Sequence, residues 1–437
     1  MGVINSIWWM LILIGIMILI HELGHYWAAR WFDVHVEAFS FGFGPRLFGF
    51  RRGETDFRVS LVPFGGYVKM TGEQAGEDGM EDPRGFLAKP RWQRMIIAFA
   101  GPAMNIILAV GLLAGLYMNR YPKIVGSEGP PTVGFVEKGS PAEKAGVQEM
   151  DVITAIDGKQ NPSWEDVGMS IVGAANREMP MTLERQGKQV YTTITPEISE
   201  VTGVGSAGWN DRHEIQVGDL TAGMGAEKAG IKSGDVLVAY DGIPLHSTAK
   251  LHALLKEGAG KPVQLTYSRD GKQNTVTVEP KLGKQDPKNW RLGVQLTPRV
   301  VFVQLPLGEA LRESVQQNKR SAGVILQLLR GMVERRMSPK SLEGPIGIAR
   351  LSSEAAREGL ATYIGLMAAV SLNLAVFNLL PIPILDGGTI LMLLIEMVMR
   401  RDLSLQLKEN IFKLGFVFLM MVVAFVLYND ISKLLPG

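Results

Sequence analysis

Two histidines and a glutamate near the start of the chain have the spacing of a metal-binding motif. The sequence His-Glu-Leu-Gly-His occupies residues 21–25. Residues four apart share one face of an α-helix, so the imidazoles of His21 and His25 can bind one metal ion. Glu22 would lie beside a water molecule on that ion, where a carboxylate can act as general base. The motif predicts metal-assisted hydrolysis; two histidines that only form hydrogen bonds are the alternative.

The third metal ligand must come from another part of the chain, because a catalytic zinc takes three protein ligands and keeps one open position. The chain has no cysteine and only six histidines. His35 would lie about 15 Å beyond His25 on a continued helix, which is too far to share the ion. Asp386 is the better candidate, because two prolines before it break the helix and two glycines after it permit an irregular turn. There are two alternatives. Asp386 could simply end a helix, or Glu396, which we place near the membrane interface, could be the third ligand.

These residues lie in or next to long apolar segments of the chain. Four segments are roughly long enough to cross about 30 Å of hydrocarbon, and they are residues 4–30, 94–118, 360–388 and 410–430. No Lys or Arg precedes Arg30, so we interpret the first segment as a retained helix and not as a cleaved signal peptide. Ionisable side chains inside a membrane are costly unless they face a partner or a cavity, which favours a functional site at residues 21–25.

The positions of the basic residues predict the topology. Segment 31–93 and the connection between the third and fourth apolar segments are rich in Arg and Lys, so both should be cytoplasmic. Both termini and the long stretch 121–358 should then face the other side, which is the periplasm in a bacterium. His25 lies about 7 Å inside the cytoplasmic edge marked by Arg30. Asp386 shortly precedes the Arg400-Arg401 pair, so the two motifs can meet at a similar depth.

Composition excludes several classes of protein. The formal net charge of +2 gives no reason to expect a nucleic-acid partner. The absence of cysteine removes disulfides, thiolate nucleophiles and zinc sites with sulfur ligands. Any metal must therefore be bound by nitrogen and oxygen.

A duplication occupies the long outer stretch. Ala-Glu-Lys-Ala-Gly occurs at 142–146 and again at 226–230, and Asp-Gly pairs follow with the same offset, at 157–158 and 241–242. Two copies of one small α/β domain are therefore predicted, at 121–205 and 206–300. A short helix, a strand and an Asp-Gly turn resemble the bacterial form of the PDZ domain, which binds extended peptides by strand addition. Structural modules without a peptide ligand are the alternative.

Residues 301–358 predict an amphipathic helix followed by a linker. Apolar residues from Val315 to Met332 fall close to helical spacing, and arginines and lysines supply the polar side. The helix should lie on the outer membrane surface or pack on the repeats.

The chain resembles the tandem-PDZ members of the bacterial site-2 protease family over nearly its full length. The matching features are the motif at 21–25, Gly-Pro-Ala-Met-Asn at 101–105, the doubled PDZ pattern, Gly-Pro-Ile-Gly-Ile at 344–348 and the Leu-Asp-Gly motif at 385–387. The resemblance implies an intramembrane zinc metalloendopeptidase. It implies zinc ligation by His21, His25 and Asp386, with Glu22 as general base and Asn378 near the substrate strand.

The resemblance also implies a fold, a location and a class of substrate. The fold is a polytopic α-helical membrane protein with four transmembrane helices, membrane-associated β-elements within 31–93 and two tandem periplasmic PDZ-like α/β domains. The expected location is the bacterial inner membrane. The implied substrates are single-span membrane proteins, namely an anti-sigma factor already trimmed on its outer side and remnant signal peptides, which would link the enzyme to an envelope stress response.

Substrate contacts are expected from four residues: Asn378, Asn105, Gly42 and Gly44. The segments 39–45 and 57–63 alternate like strands around Gly-rich turns and resemble the family's membrane-associated β-elements. We hypothesise that one edge of these strands pairs with the substrate. A small soluble cytoplasmic sheet is the alternative.

Two further functional classes compete with a protease. A membrane scaffold would use the PDZ pair to hold partners and would not need Glu22. A metal transporter would need further polar residues along a path. The second apolar segment offers chiefly Asn105 and the fourth is almost wholly apolar, which argues against a conduit.

Overall fold

The chain is described from a computed structural model. The described residues are 3–73, 82–125, 129–199, 203–282, 289–333 and 344–434. Parts of the predicted segments 31–93, 121–205, 206–300 and 301–358 lie outside the described residues, among them 334–343 of the predicted linker.

The described residues contain both helices and strands, with a run of helices at the C-terminal end. The helices are α1 (Val3–Trp31), α2 (Arg91–Arg120), α3 (Pro141–Lys144), α4 (Trp164–Gly173), α5 (Gly225–Lys228), α6 (Thr248–Gly258), α7 (Leu307–Val333), α8 (Pro345–Glu358), α9 (Leu360–Asn378), α10 (Asp386–Met399) and α11 (Leu405–Leu434). The strands are β1 (Val36–Arg52), β2 (Thr55–Met70), β3 (Tyr121–Ile124), β4 (Val133–Val136), β5 (Val152–Ile156), β6 (Lys159–Gln160), β7 (Met179–Arg185), β8 (Lys188–Ile194), β9 (Glu197–Ile198), β10 (Gly205–Ser206), β11 (Trp209–Asp211), β12 (Ile215–Leu220), β13 (Val236–Tyr240), β14 (Ile243–Pro244), β15 (Val263–Arg269), β16 (Lys272–Val278), β17 (Lys281–Leu282), β18 (Trp290–Arg291), β19 (Val294–Pro298) and β20 (Val300–Val303).

Four helices among the described residues are long and apolar enough to span a membrane, as the sequence predicted: α1, α2, α9 and α11. The predicted segment 360–388 is not one helix, however. Helix α9 ends at Asn378, and Asp386 begins the separate helix α10. Pro381 and Pro383 between them have no N–H to donate, so the helical hydrogen-bond ladder cannot continue there.

The contacts divide the chain into two compact units. Unit 1 comprises Met1–Tyr121, Gln304–Leu326 and Leu342–Gly437, and unit 2 comprises Pro122–Val303 and Gln327–Ser341. Each unit has its own buried cores.

In unit 1, the spanning helices pack around small apolar cores. Leu13 and Met17 of α1 are buried against Tyr363 and Met367 of α9. The Tyr363 hydroxyl donates to the Trp9 carbonyl at 2.8 Å, which leaves no unpaired phenol in this core. The predicted region 301–358 forms two helices, α7 and α8, within its described residues.

The long strands β1 and β2 of unit 1 fold into a small antiparallel sheet by bending on themselves. Ala38 pairs with Asp56 on one side and with Lys69 on the other, so the start of β1 is a central strand. The end of β1 pairs with the start of β2, from Arg46 opposite Ser60 to Arg52 opposite Thr55. The sheet order is therefore 46–52, 55–60, 36–41 and 66–70. Residues 66–70 have a strand partner on one side in this pairing.

Unit 2 contains the duplication that the sequence predicts, and the same pairing recurs in each copy. Ile153 of β5 lies opposite Leu183 of β7, and at the matching positions of the second copy Leu237 of β13 lies opposite Tyr267 of β15. Each copy is completed by a late strand, β11 against β4 and β19 against β12. The first copy thus continues past the predicted boundary at 205 and reaches Asp211, because its first strand needs β11 as a partner.

Each copy also holds a buried aspartate paired with an arginine at the same spacing along the chain. Asp151 is 1% exposed and lies 2.7 Å from Arg185, and Asp235 is 2% exposed and lies 2.7 Å from Arg269. Both arginines also donate to a glycine carbonyl, Gly146 at 2.7 Å and Gly230 at 2.9 Å. A buried carboxylate is tolerated only when it is paired and hydrogen-bonded, and both copies meet that need in the same way.

Candidate metal centre

Helix α1 carries the two histidines of the motif one turn apart on its buried face. His21 is 7% exposed and His25 is 9% exposed. Their nearest ring nitrogens, both Nε2, are 3.2 Å apart. Binding of one metal ion by both side chains requires both of these nitrogens to be unprotonated, and a cation between them would offset the repulsion of their lone pairs.

Asp386 meets this pair from the first turn of α10. Its carboxylate oxygens lie 3.2 Å from His21 Nε2 and 3.5 Å from His25 Nε2. One ligand atom of each residue falls within 4.8 Å of the others, the geometry of a site for one ion. His35 lies elsewhere, with its Nδ1 at 2.7 Å from the Thr71 hydroxyl. The structure therefore brings Asp386, and not His35, to the motif.

The surroundings of His25 fit a metal ligand. Its Nδ1 lies 2.8 Å from the main-chain carbonyl of Ile97 on α2. A carbonyl can only accept a hydrogen bond, so Nδ1 carries the ring proton and the lone pair of Nε2 is left to face Asp386 and His21. Two imidazoles and one carboxylate are a donor set that zinc accepts in catalytic sites.

Glycines allow the two helices to approach each other at the centre. A Cβ on Gly101 of α2 would collide with the His25 ring and lie 2.9 Å from His21 Cε1, and one on Gly24 of α1 would lie 2.7 Å from the Ala100 carbonyl carbon. Small residues that let helix backbones touch are a common packing device in membrane helices. The match of residues 101–105 to the family therefore includes a glycine with a steric task at the site.

The segment before Asp386 is folded tightly under the start of α10. A Cβ on Gly387 or Gly388 would collide with main-chain carbonyls of residues 379, 380 and 382. Ile384 has a φ of 86°, which is strained for a β-branched residue and places the strain two residues from the carboxylate. Asp386 itself lies in the first helical turn, where the helix dipole favours a negative charge.

A cavity of about 390 Å³ opens at this centre. It is lined by His21, Glu22, His25, Asn378 and Asp386 at the centre itself. The Asn378 side-chain nitrogen lies 3.3 Å from His21 Nε2. Glu22 and Asn378 are thus both in position to face a substrate held in the cavity, as expected for a base and a hydrogen-bond donor.

The other residues predicted to contact substrate do not line this cavity. Asn105 is fully buried behind His21, with its side-chain nitrogen 3.2 Å from His21 Nδ1. Gly42 and Gly44 lie in β1 with φ of 91° and 89°. Gly66 comes closer, since a Cβ there would lie 3.0 Å from Glu22 Cγ. The sequence signal for Gly66 was the Gly65-Gly66 pair in an otherwise strand-like segment, which marks a close backbone approach.

Glu396, the alternative ligand, is fully buried and also lines the cavity. Its Oε1 accepts from Lys408 Nζ at 2.6 Å and from the Leu403 N–H at 3.0 Å. Lys408 thus neutralises it, and the carboxylate holds the turn between α10 and α11. It does not belong to the group of residues that could bind the metal.

Comparisons with known proteins place this centre in a family. The sequence pattern of peptidase family M50 matches residues 9–422. The chain is 32% identical over 448 residues to a protein of Treponema pallidum named as a zinc metalloprotease, a match that covers 97% of this chain and 98% of the relative. The chain belongs to peptidase family M50, the site-2 proteases. The resemblance seen in the sequence is confirmed.

Other M50 relatives carry similar names. A protein of Xylella fastidiosa, also named as a zinc metalloprotease, is 31% identical over 453 residues, covering 98% of each chain. A protein of Salmonella typhimurium named regulator of sigma-E protease is 29% identical over 451 residues, covering 97% of this chain and 98% of the relative. Family membership and these relatives confirm the predicted activity and cofactor: this M50 chain is a zinc metalloprotease.

Proposed function

We propose that this zinc metalloprotease cuts peptide bonds within the membrane-spanning segments of single-span proteins, with zinc bound by His21, His25 and Asp386. One observation carries the proposal. The two histidines stand on a helix of 28 residues, Ile4–Trp31, that is long and apolar enough to span a membrane, and their ring nitrogens meet a carboxylate there. Ionisable residues at such depth are functional by default, because hydrocarbon does not solvate them.

The residues around the cavity supply a chemical path for hydrolysis. Zinc, when bound, polarises the scissile carbonyl and activates the attacking water. Glu22 takes the proton of that water and passes it to the leaving amine, so no covalent intermediate with the enzyme is needed. The side-chain amide of Asn378 donates to the carbonyl oxygen as negative charge develops on it.

The substrate must be unwound before its carbonyl can react, because the carbonyls of a transmembrane helix are bonded within the helix. An added strand partner stabilises the extended form. Residues 66–70 form an outer strand of the small sheet, and Gly66, Tyr67 and Val68 line the cavity beside Glu22. We therefore propose that the sheet edge that pairs with the substrate is this strand, residues 66–70. Gly42 and Gly44 would then act through the bend of β1.

Orientation and substrate screening belong to the same proposal. The basic residues of segment 31–93 favour a cytoplasmic location for the small sheet, with both termini and unit 2 in the periplasm. The duplicated copies act as PDZ-like domains that screen substrates by the bulk of their outer parts. Substrates are then proteins already trimmed on the outer side, an anti-sigma factor or a remnant signal peptide, in line with the name of the Salmonella relative. The chain works in the inner membrane and thereby regulates an envelope stress response.

Cleavage in reconstituted vesicles tests the proposal. Purified wild type, Glu22→Gln and the control Glu409→Gln, which alters an exposed pair on α11, are mixed with a single-span substrate with or without its outer domain. Wild type and control should cut the trimmed substrate at a bond inside its span. Glu22→Gln should bind zinc and cut about 100-fold to 10,000-fold more slowly.

Three outcomes would contradict the proposal. Equal cleavage by wild type and Glu22→Gln would show that Glu22 is not the general base. Cleavage that occurs only outside the membrane-spanning segment would leave a protease without the intramembrane function. Binding of the substrate without any cleavage would favour a scaffold.

A further inference from the structure

His21 lies between two carboxamides that meet opposite sides of its ring. Asn378 faces Nε2 from the cavity, at 3.3 Å. Asn105 faces Nδ1 from behind, at 3.2 Å, and is 0% exposed. A substrate in the cavity can reach the first amide but not the second. The predicted substrate contact of Asn105 therefore has no support in the geometry, and this buried amide needs another explanation.

The position of the ring proton decides what Asn105 must do. A neutral imidazole has one protonated and one unprotonated nitrogen, and only the unprotonated one can bind a metal. In His21, Nε2 is the nitrogen that faces His25 and Asp386. When Nε2 binds zinc, the proton must be on Nδ1, and the atom facing Nδ1 must accept a hydrogen bond.

The amide of Asn105 has an acceptor free for this task. Its Oδ1 is buried and has no hydrogen-bond partner among the described residues, while its Nδ2 points to His21 Nδ1. A half-turn of the carboxamide exchanges these two atoms with little change in shape. After that exchange Oδ1 accepts from Nδ1, and Nδ2 occupies the position where Oδ1 has no partner.

We propose that Asn105 is a positioning residue for the metal centre, whose side-chain oxygen holds the proton of His21 on Nδ1 and so presents Nε2 to zinc. The inference rests on the ligand assignment in the proposed function. It gives each histidine ligand a second partner on α2, the Ile97 carbonyl for His25 and the Asn105 amide for His21. The Ser371 hydroxyl of α9 donates to the main-chain carbonyl of Asn105 at 2.9 Å, which ties this turn of α2 to α9.

The two histidines therefore differ in how firmly their orientation is fixed. A main-chain carbonyl cannot be replaced by mutation and can only accept. The amide of Asn105 can be replaced, so the hydrogen bond that orients His21 can be tested by mutation. Partners of metal-binding histidines are typically worth about 10-fold to 100-fold in metal affinity.

Two substitutions of similar size separate positioning from packing. Asn105→Leu keeps the volume but removes the acceptor. Asn105→Asp keeps an acceptor and cannot present an N–H in its ionised form. Zinc affinity of the purified full-length chain is measured by competition with a chromophoric chelator. The control is Asn373→Leu, which changes a half-buried amide elsewhere on the neighbouring helix α9.

Asn105→Leu should lower zinc affinity about 10-fold to 100-fold, and Asn105→Asp should rescue most of it. The control should match wild type. If Asn105 only fills space, the order of zinc affinities reverses. Asn105→Leu then retains the wild-type affinity, and Asn105→Asp loses affinity because it buries a carboxylate that has no hydrogen-bond partner. That reversed order, or equal affinity in all variants, would overturn the proposal.

A spectroscopic measurement on the wild-type chain does not depend on the folding of any variant. The six histidines are labelled with ¹⁵N, and the ring-nitrogen signals are recorded with zinc bound. We expect a His21 signal with a protonated Nδ1 and a metal-bound Nε2. Metal binding through Nδ1 would contradict the proposal. Both measurements report on zinc and not on cleavage, so failure of the intramembrane protease function would leave their results interpretable.

Discussion

The metal centre and the duplicated unit each shield an aspartate carboxylate from solvent, and they pair it in different ways. In unit 2, each buried aspartate is paired with an arginine from a neighbouring strand of its own copy. At the metal centre, Asp386 meets two histidines that lie near the other end of the chain. The first solution is local and occurs twice. The second requires two helices that are distant in the sequence, α1 and α10, to meet.

The difference shows what each region is built for. An aspartate paired with arginine is neutralised within the protein and contributes to the fold. A carboxylate that faces two imidazoles keeps its charge available for a bound cation. We therefore expect changes at the metal centre to affect metal binding and cleavage, and changes at the repeated pair to affect folding of unit 2.

The largest effect in this comparison is expected from Gly101→Ala. The new methyl group would collide with the His25 ring, so the imidazoles must move. A displacement of about 1 Å at a reacting centre can cost about 100-fold in rate. Zinc affinity and cleavage should both fall, with the folding of unit 2 unchanged.

Gly111→Ala is the matched control, because a Cβ at this position of the same helix meets nothing within 4 Å. It should retain zinc and activity. If the Gly101 variant cleaves at the wild-type rate, the close approach of α1 and α2 does not define the site.

A smaller effect, confined to the other region, is expected from Asp235→Asn. The change removes the charge that pairs with Arg269, and we expect a loss on the order of 2 kcal/mol in the stability of the second copy. Hydrogen exchange of the full-length chain should show faster exchange in β13 and β15. Zinc content should stay at the wild-type value.

The control for this substitution is Glu197→Gln, which breaks the exposed pair with Lys144, whose side chains are 60% and 63% exposed. Exposed pairs contribute about 0–1 kcal/mol, so exchange should hardly change. Loss of zinc from Asp235→Asn would show that metal binding depends on the folding of the second copy.

The smallest effect concerns pH and unit 2. A hydrogen bond from Arg177 lowers the pKa of Asp157. Burial opposes the ionisation of Asp235, but hydrogen bonds from Arg269 and the Lys232 N–H outweigh it and lower its pKa. Because both folded pKa values lie below the ordinary value of 3.8, the stabilisation is fully present above that pH and is lost as the pH falls through the folded values.

Hydrogen exchange of the full-length chain between about pH 5 and pH 2 can measure this loss after correction for the intrinsic rate. In Asp157→Asn, the loss of stability of the first copy on acidification should be smaller than in wild type. A wild-type stability of unit 2 that rises as the pH falls below 3.8 would have the opposite sign and would contradict the assigned pairs.

Much of the site could be predicted from the sequence because its signals are short-range. The spacing of His21 and His25 fixes one helix face, and the apolar run around them fixes the setting. Asp386 could be proposed because prolines and glycines mark a broken helix beside it. The family match then supported the zinc chemistry.

Residues that act through distant contacts could not be assigned from the sequence. The task of Gly101 is visible only when α2 lies on His25. Asn105 was expected to contact substrate, but the ring of His21 lies in front of it. The pairing of Glu396 with Lys408 was also missed, because nothing in the linear sequence indicates that these two side chains meet. The arginines that pair with Asp151 and Asp235 were also missed, although their equal spacing from each aspartate was a usable signal.

Zinc stoichiometry tests the central claim, that His21, His25 and Asp386 bind the metal, most directly. The metal content of purified wild type, Asp386→Ala and His35→Ala is measured after exhaustive dialysis. We expect about one zinc per chain in wild type and in His35→Ala, and little in Asp386→Ala, because a catalytic site needs three protein ligands. Full retention of zinc by Asp386→Ala, or its loss from His35→Ala, would contradict this metal centre.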